Sequence, residues 1–434
     1  MMVIPVIKTI GFYSAQFFCP GGAEKVAFRL NGLFRLHGIK TWAVCEHGAI
    51  PWLNNDEYIS LAGLSDKGKV ARVINRARLE NTDIFIIHYT APEHINAICE
   101  IIDQLRALGI KVVSICHSPL TSALLFEECI YQWRDLYRYY SKCDVIATIN
   151  EMDMYWWRSL GCRALLVQNP FSRPINGAHH SVPQSNARIL WVGRNCAGKN
   201  PDMAIRAFEH VLKELPDAQL TLVGGLDKEW KQMRKLAKSL NIGDHVEFLA
   251  QRKDVSDLWD KTDIHIMTSI TESFSLVLAE AKSRGIPTVL FDIQFSELVK
   301  DKRGLIEVPY GDVRAMGAAI VKVVREAGLY EQLSHGAVAA MAPYNDETVW
   351  RDWIALMESL SNDSEGCYVD PGYRMLARQV FFCFNDMMSR SGWRFDMETQ
   401  WRRMFGCSLR LPAKVIDLFV QFAKKCRRAA RASD

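Results

Sequence analysis

No apolar run in the 434-residue chain approaches the roughly 18 residues that a bilayer-spanning helix needs. The opening Met1-Met2-Val3-Ile4-Pro5-Val6-Ile7-Lys8 also lacks the basic segment and cleavage site of a secretory leader, so a cytoplasmic location is expected. Its twelve cysteines include no C-x-x-C pair and no Cys/His spacing of the metal-ligand kind, which argues against zinc. Cys45, Cys116 and Cys143 stand in apolar runs and read as reduced core thiols. Charge of one sign is scarce too. With 53 Lys and Arg against 49 Asp and Glu, the net charge of +4 is too small for a nucleic-acid binder unless it is concentrated in one place. No tandem repeat of solenoid period is present. A hydrophobic fraction of 49% and a charged fraction of 24% are those of an ordinary soluble globular chain, and the length calls for two or three domains.

Strand-like apolar runs alternate with helical patterns, the signature of α/β units on parallel sheets. A first series reads Ile7–Tyr13, Thr41–Cys45, Ile84–His88, Lys111–His117, Val145–Asn150 and Ala164–Gln168. The segment from Phe171 to Asn186 is rich in Pro, Ser, Asn and Gly and reads as a linker. A second series follows: Arg188–Val192, Gln219–Val223, His245–Phe248, Ile264–Met267 and Thr288–Phe291. The expected organisation is a Rossmann-like domain at 1–172, a linker at 173–187, a second Rossmann-like domain at 188–345 facing the first across a cleft, and C-terminal helices at 346–434. Glu347–Leu360 reads as an amphipathic helix. In a helical tail from Leu411, Val415, Phe419, Phe422, Cys426 and Ala430 share one face and Lys414, Lys424, Arg427, Arg428 and Arg431 the other. Such a basic amphipathic helix suits either an anionic membrane surface or packing on the protein body.

The most informative stretch runs from Ile270-Thr271-Glu272 through Ser273-Phe274-Ser275-Leu276 to Glu280 and closes with Gly285-Ile286-Pro287. Ser273 and Ser275 are good N-terminal caps, Leu276 to Ala281 form helix readily, and Gly285 with Pro287 stops it. Glu272 then stands at the C-terminal end of a strand, where parallel sheets place ligands. Glu280 lies at most about 12 Å away along the axis. A helix mouth between two carboxylates suits an elongated ligand with an anionic middle and hydroxyls at both ends, the layout of a nucleotide sugar.

Four further segments line up with this one. Pro20-Gly21-Gly22-Ala23-Glu24-Lys25 follows the first strand; a glycine pair there admits a phosphate or merely makes a tight turn. His117, in Ile115-Cys116-His117-Ser118-Pro119, leaves the edge of another strand, where a lone histidine serves packing as readily as chemistry. Gly193-Arg194 and Lys199 open the second series with two cations five residues apart, suited to a diphosphate or to solvent. Leu222-Val223-Gly224-Gly225 is another strand-end glycine pair.

In this order, the glycine-rich G-G-x-E turn, the cleft histidine, the G-R…K loop, the L-V-G-G strand end and the E-x7-E motif make the chain similar, over residues 8 to 345, to retaining glycosyltransferases of the GT-B fold, the large family 4 group. The resemblance implies an α/β fold of two doubly wound domains and transfer of a sugar from a nucleotide-diphosphate sugar to a hydroxyl of a glycan or lipid-linked acceptor. It implies that Arg194 and Lys199 hold the diphosphate with the backbone of Gly21, Gly22, Ser275 and Leu276, and that Gly193 and Phe274 belong to the same donor-binding set. By the same carry-over Glu272 meets the donor-sugar hydroxyls, Glu280 the ribose, His117 the sugar near its anomeric side, and Leu249 to Arg252 the base. No aspartate-x-aspartate pair accompanies these cations, so neither a divalent metal nor another cofactor is expected.

The departures are Ser273 and Ser275, where the family usually has glycine, and Gln294-Phe295-Ser296-Glu297, where it often has a Gly-Gly turn. The second leaves the sugar unnamed. Surface-polysaccharide synthesis is the family-level expectation, with attachment to the inner membrane face through residues 411–431. The competing readings are a nucleotide-sugar 2-epimerase and a non-catalytic nucleotide-binding scaffold.

Overall fold

The structure, a computed structural model, describes residues 7–361 apart from 16–20, 49, 51–52, 90–91, 118–134, 172–181, 184–185, 197, 253 and 294–295. It shows the expected α/β architecture: two sheets whose pairings are all parallel, each wound in both directions from a central strand. The first sheet holds β1 (Thr9–Ser14), β2 (Lys40–Cys45), β3 (Tyr58–Ser60), β4 (Ile84–Tyr89), β5 (Lys111–Cys116), β6 (Val145–Thr148) and β7 (Ala164–Leu166), in the order 3-2-1-4-5-6-7. The second holds β8 (Arg188–Val192), β9 (Gln219–Gly225), β10 (Val246–Ala250), β11 (Ile264–Met267), β12 (Thr288–Phe291) and β13 (Leu305–Val308), in the order 10-9-8-11-12-13. The central strands are buried along almost their whole length because helices cover both faces, which is why they read as continuous apolar runs.

Some boundaries differ from the sequence reading. The run expected to reach Asn150 stops at Thr148, because the Asn150 side chain accepts from the Asp153 amide at 2.8 Å and starts the helix Glu151–Ser159. Strands β3 and β13 were not anticipated. Both are short edge strands, and β13 carries an ion pair from Glu307 to Lys302 that breaks its apolar pattern. Of the segments read as linker and C-terminal extension, most of 173–187 and everything beyond 361 lie outside the described residues.

The helix Asp346–Ser361 packs on the first half of the chain. Trp353 meets Phe34 edge-on at 5.2 Å, Trp350 stacks on His37 at 3.7 Å, and Asp352 accepts from the Gln168 amide at 3.0 Å. One apolar cluster accordingly runs from Ile10 and Phe12 of the first sheet through Phe274 and Leu278 of the second half to Trp353 and Leu360. Among the described residues, no helix is long and apolar enough to cross a membrane.

Candidate active site

Each sheet changes direction beside its first strand, between β1 and β4 in one and between β8 and β11 in the other. The crevice beyond the carboxyl ends of such strands is where an open α/β sheet receives ligands. The Gly21-Gly22 turn follows β1, Gly193-Arg194 follows β8 and Glu272 follows β11. A Cβ on Gly22 would stand 3.5 Å from Cδ1 of Leu276, so the glycine turn and the mouth of the helix Leu276–Ser283 touch across the cleft. Residues more than 250 positions apart are thereby brought into one site.

Glu272 is held from two sides. Its Oε1 accepts from Ser269 Oγ at 2.7 Å and is ion-paired with Lys199 Nζ. The loop bearing Lys199 is itself pinned: Thr268 Oγ1 donates to the carbonyls of Lys199 and Asn200 at 2.8 Å, and the Ile270 amide donates to Gly198. Asn200 takes a left-handed backbone (φ 47°) immediately before Pro201 opens the next helix. The carboxylate and ammonium that the sequence reading assigned to one ligand therefore already stand against each other.

The helix mouth differs from expectation in its capping. Ser275 alone is the cap, with Oγ accepting from the Leu278 amide at 3.4 Å, while the Ser273 hydroxyl accepts from Asn150 Nδ2 of the first half at 2.9 Å. Ser275 has a left-handed backbone (φ 64°, ψ 86°), the conformation that favours glycine. The family's glycine at this position is thus a matter of backbone angle; a serine costs on the order of 1 kcal/mol there. Phe274 is 2% exposed and lies edge-on to Tyr344, so its ring belongs to the core and what it offers the helix mouth is backbone.

Arg194 is exposed and faces Glu24 across the cleft. The Glu24 carboxylate folds back over Gly21 at the start of the helix Gly22–Leu36. Burial raises its pKa above the ordinary carboxylate value, opposed by its own backbone N–H and by the Arg194 charge. An anionic group thus already occupies a helix N-terminus that faces a guanidinium. Gly193 donates its amide to the Val223 carbonyl at 3.0 Å, and its own carbonyl abuts Gly224. Arg252 pairs with Asp257 at 3.3 Å on the surface, and the neighbouring Leu249 packs against the apolar cluster that holds Val223 and Trp259.

His117 follows β5 on the same side of the cleft. Its Nε2 is 3.3 Å from Nδ1 of His88 in β4, and the two rings stack at 5.5 Å. His88 rests its other face on Phe12. Burial lowers the His117 pKa to about 4, and burial followed by the neighbouring His117 lowers that of His88 as well, so both imidazoles are neutral near pH 7. Gln294 and Phe295, where the chain departs from the family's Gly-Gly turn, lie outside the described residues; Glu297 donates its amide to the Ser273 carbonyl at 2.9 Å. Among the described residues, no group of three or more His, Cys, Asp or Glu side chains is placed to hold a metal ion.

The sequence reading missed Lys25, Trp259, Asn150, Ser269 and His88. Lys25 carried a usable signal, since it adjoins the glycine turn. The others are brought to the site only by tertiary packing.

Comparison with known proteins agrees with this fold. Residues 173–338 match the family model described as "Glycosyl transferases group 1". An uncharacterized glycosyltransferase of Haemophilus influenzae is 22% identical over 81% of this chain and 100% of its own length. A phosphatidyl-myo-inositol mannosyltransferase of Mycobacterium leprae is 25% identical over 80% of this chain and 95% of its own. The crystal structure of Anabaena Alr3699/HepE in complex with UDP superposes with a TM-score of 0.66 over 81% of this chain and all of that one, at 18% identity. HepE has also been solved in complex with UDP-glucose. With the strand-end glycines, the paired Lys199 and Glu272 and the second carboxylate Glu280 grouped at the mouths of two doubly wound sheets, the chain has the GT-B fold and is similar over residues 173–338 to the group 1 glycosyl transferases.

Proposed function

We propose that this protein is a glycosyltransferase, a retaining hexosyltransferase that moves a sugar from a nucleotide-diphosphate donor to a hydroxyl of a glycan or lipid-linked acceptor in the synthesis of a surface polysaccharide. The observation that carries the reading is the pairing of Lys199 with Glu272 and the contact of the Leu276–Ser283 helix mouth with the Gly21-Gly22 turn, with Arg194 facing Glu24 of the same turn. Cations and a helix N-terminus at one point stabilise the charge that builds on a departing diphosphate. Glu272 is placed to accept from hydroxyls of the sugar that the diphosphate carries. On this reading the anomeric carbon–oxygen bond to the diphosphate breaks, the acceptor oxygen bonds to the same face of that carbon, and the acceptor proton passes to the leaving phosphate oxygen. No protein nucleophile is required, and the neutral His117 serves as a hydrogen-bond partner beside the sugar. These fixed cations carry the electrostatic role, so we also propose that transfer needs no divalent metal.

The UDP and UDP-glucose bound by HepE support a nucleotide-diphosphate sugar as donor, and the name of the mycobacterial relative supports a lipid-linked acceptor. A panel of nucleotide sugars screened by thermal shift with EDTA present is expected to single out one donor. At a concentration of 100 times its Kd, it adds about 2.7 kcal/mol of stability. A panel with no stabilising member would overturn the donor reading.

For location we propose the cytoplasmic side of the membrane, with peripheral attachment through residues 411–431, which lie outside the described residues. The support is the alternation of Phe419 and Phe422 with Lys424, Arg427 and Arg428 in helical register. Deleting 411–434 is expected to abolish cosedimentation with anionic liposomes; cosedimentation at the full-length level would remove the membrane reading.

A further inference from the structure

Glu280 stands in the second turn of the Leu276–Ser283 helix, and its two carboxylate oxygens have different kinds of partner. Oε2 accepts from Trp259 Nε1 at 3.1 Å. Trp259 is 1% exposed, packed among Leu190, Val223, Ala281 and Ile286 and set edge-on to the His265 ring. Its indole N–H is a donor only, does not titrate, and cannot turn away without disrupting that packing. Oε1 accepts instead from Lys25 Nζ, also at 3.1 Å, and Lys25 comes from the opposite half of the molecule with its side chain 40% exposed. One oxygen is therefore fixed by a buried rigid donor. The other is held by a flexible cation that a ligand can replace.

We propose that Trp259 is a positioning residue that aims Glu280 at the ribose hydroxyls of the donor, and that those hydroxyls take over Oε1 from Lys25 when the donor binds. The inference rests on the reading of Glu280 as the ribose carboxylate. Without the indole N–H, the carboxylate turns about its last bond and presents either oxygen or neither. Before the donor binds, Lys25 gives Glu280 Oε1 a direct cationic partner, beside the more distant charge of Arg29. Its proximity to Asp254, whose charge it also feels, gives the released ammonium a second anion to turn to.

The test uses full-length protein, with UDP, GDP and ADP each titrated calorimetrically beside its 2′,3′-dideoxy counterpart. Wild type is expected to prefer the ribose form of at least one of them by about tenfold, the scale of a charge-assisted hydrogen bond. Trp259→Phe keeps the packing and removes only the N–H. It is expected to lose most of that preference while binding the dideoxy form as wild type does. Equal weakening of both forms, or an intact preference, would overturn the role of Trp259. A wild type with no preference in any pair would instead overturn the ribose reading of Glu280. Should the phenylalanine variant fail to fold, the surface variant Lys25→Met carries the test. It is expected to bind the ribonucleotide more tightly than wild type and the dideoxy form unchanged, and weaker ribonucleotide binding would overturn the exchange.

Discussion

Lys199→Ala and Glu272→Ala should each lower kcat/KM for sugar transfer by about 10²–10³-fold or more, the cost of removing one fixed group that stabilises developing charge in a closed site. The two residues form one unit, because Lys199 Nζ is paired with the same Glu272 oxygen that Ser269 also reaches. On the proposed function, removing the lysine takes away a diphosphate contact and lets Glu272 turn. Removing the glutamate would likewise take away a sugar contact and let Lys199 swing toward solvent. The double variant is therefore expected to lose little more than either single one, since groups acting together are not additive. The fold should survive, because both side chains are partly exposed, at 25% and 11%, and neither belongs to the apolar core. Steady-state kinetics on variants with wild-type melting temperatures decide the matter; either variant turning over at the wild-type rate would remove the assignment.

A second large effect is expected in stability against acid. His265 lies at 1% exposure in β11, bonded to Thr288 Oγ1 at 3.1 Å, and burial lowers its pKa from 6.5 to about 3. Its folded value lies below its unfolded one, so the unfolded chain binds the extra proton between those two pH values. Stability is then full above about pH 6.5 and falls as the pH drops through that window. By pH 5, His265 alone removes about 2 kcal/mol. His88 and His117, lowered by burial, act in the same direction, while Glu24 and Asp352, raised by burial, act in the opposite one. Urea midpoints at pH 7.5 and pH 5 measure the difference, and His265→Gln should remove its share of the slope. Equal midpoints at the two pH values would show that these imidazoles are not buried in the neutral form.

Much of this architecture was legible in the residues. The alternation of apolar runs with helical patterns gave both parallel sheets, because a strand covered on both faces has no polar side to disguise it. The edge strands β3 and β13 escaped because three or four residues beside charged neighbours carry no period. The site was legible where chemistry and chain position coincide: strand-end glycines, two cations in one loop, two carboxylates on either side of one helix mouth. It was not legible where partners arrive from elsewhere. Nothing near Trp259 says that its N–H meets Glu280, and nothing near Asn150 says that it meets Ser273; the first contact exists only once the second half has folded, and the second only once the halves are assembled. Ser275 shows a subtler limit. The residues alone mark the serine only as a departure from glycine, whereas its φ of 64° ties that departure to backbone angle.

Gly224 also acquires a different meaning. From sequence it is half of a strand-end glycine pair. In the structure it has φ 124°, and a Cβ there would overlap the carbonyl oxygen of Gly193, the residue before Arg194. The thing that comes near is the protein's own backbone. The end of β9 is the shelf on which the loop that begins at Gly193 rests. Any side chain at position 224 meets the Gly193 carbonyl and displaces the start of that loop, so a residue outside the proposed donor contacts gauges the reach of Arg194 within them.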